Sequence, residues 1–71
     1  MSYRVQKGRK VRDMIKIVKK HGWTLSGQEG DHRQFEHPGK SGKVTIAGHA
    51  RDTIPLGTQK SVLQQAGLYK D

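Results

Sequence analysis

Residues 30 to 38 of this 71-residue chain read Gly-Asp-His-Arg-Gln-Phe-Glu-His-Pro, which sets His32 just after a turn segment and at the head of an alternating run. Histidine has an unperturbed pKa of about 6.5, so it accepts and donates protons near neutral pH. On a strand edge in a cationic chain, such a group suits proton transfer on a nucleic acid. RNA carries its own nucleophile, the 2′-hydroxyl. Cleaving it calls for a positioned acid or base, with cations near the phosphate to stabilise the phosphorane. Arg33, Lys43 and Arg51 are the cations suited to that task.

Other chemistries find less support. His21, His32, His37 and His49 lack the i, i+4 helical pairing of a zinc protease, and no cysteine accompanies them. On a strand, the five-residue step from His32 to His37 sends the two rings to opposite faces. Neither a metal nor another cofactor is expected. Ser26, Ser41 and Ser61 sit in no Gly-x-Ser-x-Gly elbow, and no Gly-x-Gly-x-x-Gly phosphate loop occurs.

Length and charge narrow the class. A chain of this size forms one small domain with a modest core, burying roughly 60% of its unfolded surface. It has 14 Lys and Arg against 6 acidic residues, a formal charge of +8, which attracts polyanions. The absence of cysteine rules out disulfides and suits the cytoplasm. No apolar run approaches the roughly 20 residues of a membrane span, and the basic N-terminus lacks the apolar stretch of a signal peptide.

The elements that must position His32 follow from periodicity. Residues 1–9 are basic and aperiodic and read as a flexible arm; residues 10–71 read as one domain. Val11, Met14, Ile15 and Val18 fall at helical spacing between Lys10 and His21, with Gly22 as the terminator. Trp23, Leu25 and Gln28 mark a first strand, His32 to His37 a second, and Lys43 to Ala47 a third, with residues 38–42 as the turn between the last two. Phe35 is expected inward, which sends His32 to the opposite face. Gly48 to Pro55 is a loop carrying His49 and Arg51. A second helix opens near Thr58, buries Val62, Leu63 and Ala66, and ends at Gly67 with Leu68 folding back. The fold class is therefore α+β: an α-β-β-β-α domain whose three-stranded antiparallel sheet carries two helices on one face and leaves the other open.

Several segments together resemble the HicA toxins of bacterial and archaeal toxin–antitoxin pairs. They are His21-Gly22-Trp23, Gly30 to Pro38, Val44 to His49, Ile54-Pro55-Leu56-Gly57-Thr58, and Ser61 to Leu68. The similarity runs from about Lys10 to Leu68 without a break in order. It implies a double-stranded-RNA-binding-domain-like fold and an RNase that cleaves messenger RNA, with the family's catalytic histidine falling on His32. It also implies a HicB-like antitoxin that covers the active site. His49 matches the family's Gly-His position and is a candidate RNA contact beside Arg33, Lys43 and Arg51. Where the family often has Ser before the catalytic histidine and a second His after it, this chain has Asp31 and Arg33. Asp31 either steadies the turn or acts on His32 electrostatically. The leading expectation is a metal-independent endoribonuclease. Its rivals are a non-catalytic RNA-binding module of the same fold and a purely protein-binding subunit.

Overall fold

In a computed structural model describing residues 2–71, the chain runs α1 (Val11–Lys20), β1 (Thr24–Glu29), β2 (His32–His37), β3 (Lys40–Ala47) and α2 (Leu56–Gln65). The strands form an antiparallel meander in the order β1-β2-β3. Phe35, Val44 and Ile46 are buried on one face, where Val11, Met14 and Val18 of α1 and Val62 and Leu63 of α2 meet them. His32, Gln34 and Glu36 of β2 alternate onto the other face and stay exposed. This is the expected architecture, and it matches a double-stranded-RNA-binding-domain-like fold. No helix among the described residues is long and apolar enough to cross a membrane.

Both helices stop by the same device. Gly22 takes φ 92°, a conformation that costs a side-chain-bearing residue about 1–2 kcal/mol. Its N–H bonds Lys19 O and that of Trp23 bonds Val18 O, both at 3.1 Å. Gly67 and Leu68 repeat the pattern on Gln64 O and Leu63 O, at 3.1 and 2.7 Å. These are Schellman caps, and in each the residue after the glycine, Trp23 or Leu68, folds back into the core.

Three details depart from expectation. The turn between β2 and β3 is only Pro38-Gly39, since β3 already starts at Lys40. The glycines and serine that suggested a longer turn are absorbed by a register shift between Phe35 and His37. Helix α2 opens at Leu56, two residues before Thr58. The basic segment before α1, expected to be a flexible arm, is instead tied along the body. Tyr3 N–H bonds Leu68 O at 2.6 Å, Lys70 N–H bonds Tyr3 O at 2.9 Å, and Ile54 N–H bonds Arg9 O at 2.9 Å.

Gln59 of α2 is fully buried and anchors the same segment. Its Nε2 donates to Gln6 O and Ile54 O, both at 2.9 Å, while Oε1 accepts from Gln6 N–H at 2.9 Å and from Arg9 Nη1 at 3.2 Å. Gln6 and Arg9 lie some fifty residues from Gln59 in the chain, so local composition could not reveal these contacts.

Candidate functional site

His32 owes its position to a two-residue hairpin turn. Gly30-Asp31 joins β1 to β2, with Glu29 paired directly to His32. Gly30 has φ 60°, the only positive φ in the turn, as a hairpin with glycine at the first central position requires. The opposite strand places Ala47 beside His32.

A one-residue bulge in β1 shapes the ground around it. Leu25 pairs with Phe35 but Gly27 pairs with Gln34, so Ser26 is the extra residue and the phase of the strand flips there. Leu25 therefore lies on the helix side, while Gly27 and Glu29 join His32 on the open face. Gly27 contributes no side chain, and a shallow depression forms among Gly27, Glu29, His32, Gln34 and Thr45. On its other flank His32 borders a cleft lined by Asp31, Gly48, Asp52, Ile54, Pro55 and Thr58. Helix α2 begins at that cleft with Pro55 as N-cap and no side-chain cap, so the positive end of its dipole borders the cleft beside His32.

The His32 side chain is 65% exposed, and its Nδ1 lies 3.2 Å from Asp31 Oδ1. A carboxylate on Nδ1 selects the tautomer with hydrogen there and leaves Nε2 as the free nitrogen. A contact this exposed adds only about 0–1 kcal/mol to stability even with the ring protonated. Asp31 is itself held by its backbone, with Gly48 N–H donating to Asp31 O at 3.1 Å.

The nominated neighbours separate into distinct roles. Arg33 points to the helix side, half-buried, and Nη1 donates to Gly48 O at 2.8 Å and Asp31 O at 3.4 Å. It braces the turn that carries His32 and is not beside the ring. Lys43 is exposed on β3, four residues from Ala47, or roughly 13 Å along the strand from the His32 pair. His49 and Arg51 are exposed in the loop after β3. The carbonyls of that loop cap α1: Val11 N–H bonds Asp52 O at 2.9 Å and Arg12 N–H bonds Ala50 O at 3.0 Å.

The remaining histidines serve the fold at the far end of the sheet. His37 Nδ1 accepts from Gly39 N–H at 2.9 Å, which leaves Nε2 to donate to His21 O at 3.0 Å. His21 Nε2 lies 2.9 Å from Tyr3 Oη, and burial, reinforced by Lys20 and Lys40, holds its pKa below the usual 6.5. Among the described residues no three His, Asp or Glu side chains are grouped to hold a metal ion. Sequence reasoning missed Glu29, Asp52 and Thr58 as neighbours of His32. The bulge hid Glu29, and only the tertiary fold brings the other two alongside.

This hairpin-borne histidine, with its Gly-x-His context, is the setting in which comparison with known proteins becomes informative. The family model described as "HicA toxin of bacterial toxin-antitoxin" matches residues 11–68. The chain belongs to the HicA toxin family. No curated protein matches it. The HicA match spans every helix and strand, and residues 2–9 lie outside it.

Proposed function

We propose that this HicA-family chain is a metal-independent endoribonuclease that cleaves messenger RNA in the cytoplasm and is neutralised by a HicB-like antitoxin. The observation that carries the reading is His32 itself, exposed at a hairpin end with Nδ1 on Asp31 and Nε2 free. In this mechanism the 2′-oxygen attacks the adjacent phosphorus as its proton passes to a base. The bond from phosphorus to the 5′-oxygen breaks, and the leaving oxygen takes a proton. The products are a 2′,3′-cyclic phosphate and a 5′-hydroxyl, with no redox change and no added water. His32 Nε2 supplies one of the two proton transfers, a role worth about 10²- to 10⁴-fold, and solvent supplies the other. The α2 N-terminus beside the cleft favours the phosphate that reacts there. An antitoxin laid on the open sheet face would cover His32 and exclude RNA.

Incubating the purified protein with RNA in EDTA tests this directly. New RNA ends that persist in chelator are expected. Salt-sensitive binding without new ends would replace the enzyme with a non-catalytic RNA-binding module.

A further inference from the structure

The charges of this chain are segregated. Glu29, Asp31 and Asp52 line the depression and the cleft on either side of His32, and Glu36 lies on the same sheet face. Three of the chain's 6 carboxylates thus lie around the proposed reaction centre, where they repel a phosphate backbone. Residues 2–20, by contrast, hold eight of the 14 Lys and Arg and a single carboxylate, Asp13.

Three of those cations, Lys7, Arg9 and Lys16, line a groove between α1 and the turn at Gln6–Arg9 together with Asp13. The turn closes through Arg9 N–H to Gln6 O at 3.1 Å and presents Lys7 at its tip. Arg9 is fixed in place: Nη1 donates to Arg4 O at 2.9 Å and Gln59 Oε1 at 3.2 Å, and Nη2 to Gln6 Oε1 at 3.3 Å. Asp13 is already engaged, accepting Lys10 N–H at 3.0 Å. Along α1, Arg12, Lys16 and Lys20 repeat every four residues, a like-charge spacing that costs a few tenths of a kcal/mol per pair. Asp13 is the helix's one acidic residue, and among the described residues no carboxylate forms a salt bridge with any of the three cations. A polyanion would offset their repulsion.

The segment that forms the groove is also tied to the cleft beside His32. Arg9 O holds Ile54, and Val11 follows two residues on; both Ile54 and Val11 line the cleft that His32 borders. A fixed guanidinium flanked by two exposed lysines suits successive phosphates of one strand. We propose that the groove between the N-terminal segment and α1 is a second RNA-backbone site, which retains the strand while His32 acts on it. The proposal rests on RNA being the substrate, and the Gln6–Arg9 side of the groove lies outside the family match.

The test compares two charge-matched pairs, Lys7→Gln with Lys16→Gln and Lys60→Gln with Lys70→Gln, in full-length His32→Ala protein so that RNA stays intact. Affinity for a labelled single-stranded RNA is measured against salt. Losing two phosphate contacts should flatten the log–log salt slope by about 1.4 and weaken binding about 25-fold at about 0.1 M salt. The control pair should change affinity by no more than about threefold, the effect of net charge alone. Equal losses from both pairs, or none from the groove pair, overturn the site. So does a groove pair that spares RNA binding and weakens capture of an acidic partner protein, which would assign the groove to that partner. Cleavage is scored separately with His32 intact. A wild-type protein that makes no new RNA ends, beside a groove pair that still shifts RNA affinity, refutes the enzyme and leaves the site standing.

Discussion

Replacing Gln59 by leucine probes how the N-terminal segment is held. The side chain has no solvent exposure and makes four hydrogen bonds, two through each polar atom. Leucine fills most of the same space and satisfies none of them. Ile54 is buried, so its carbonyl stays unpaired in the folded state, costing about 1–3 kcal/mol. Gln6 is exposed and can rebond to water, so each of its two lost bonds counts for the net value of about 0.5–1.5 kcal/mol. Leucine offsets part of this because no amide needs desolvating. The expected loss is about 2–4 kcal/mol, a large share of the stability of a small domain. In thermal unfolding followed by circular dichroism, that corresponds to a fall in Tm of roughly 10–25 °C. Amide exchange should accelerate at Gln6 and Ile54, whose N–H groups bond Gln59 and Arg9. A fall under about 1 kcal/mol with unchanged exchange at those amides would refute the reasoning.

Three further perturbations have definite outcomes. Asp31→Asn removes an exposed pair worth about 1 kcal/mol at most, so Tm should barely move while the RNA cleavage rate drops about fivefold at unchanged KM; an unchanged rate would remove Asp31 from any part in orienting His32. Gly22→Ala strains a backbone at φ 92° and drives a Cβ to 2.7 Å from His37 Nε2, so a loss of about 2–3 kcal/mol is expected in urea unfolding, against none if the cap were incidental. His21 has a folded pKa held below its unfolded value of 6.5, so the unfolded chain binds more protons and stability declines as pH falls below that value. His21→Gln should therefore lose less Tm between about pH 7 and pH 5 than the parent does, and equal losses would contradict the assignment.

Much of this fold could be read from local pattern because its signals are local. The helical spacing of Val11, Met14 and Val18, the glycine stops at Gly22 and Gly67, and the alternation around Phe35 each depend on neighbours a few residues away. The placement of His32 on the open face followed from Phe35 alone. What escaped depends on distant partners or on phase. The N-terminal segment looked free because Leu68, Ile54 and Gln59 hold it from the other end of the chain. The bulge at Ser26 inverted β1 and brought Glu29 to the histidine. Arg33 read as an RNA contact because charge on a strand suggests exposure, yet its guanidinium satisfies two carbonyls behind the turn. With Arg33 turned away and the far histidines engaged with Tyr3 and Gly39, His32 stands as the one exposed histidine on the open sheet face.

The most direct test of the central claim is RNA cleavage by His32→Ala protein beside the unaltered protein, in EDTA, with the ends of the fragments identified. His32 is exposed, so the variant should keep its fold and Tm. The account predicts cyclic-phosphate and 5′-hydroxyl ends from the unaltered protein and a loss of at least about 100-fold in rate for the variant. A folded His32→Ala protein that cleaves RNA at the parental rate would contradict it.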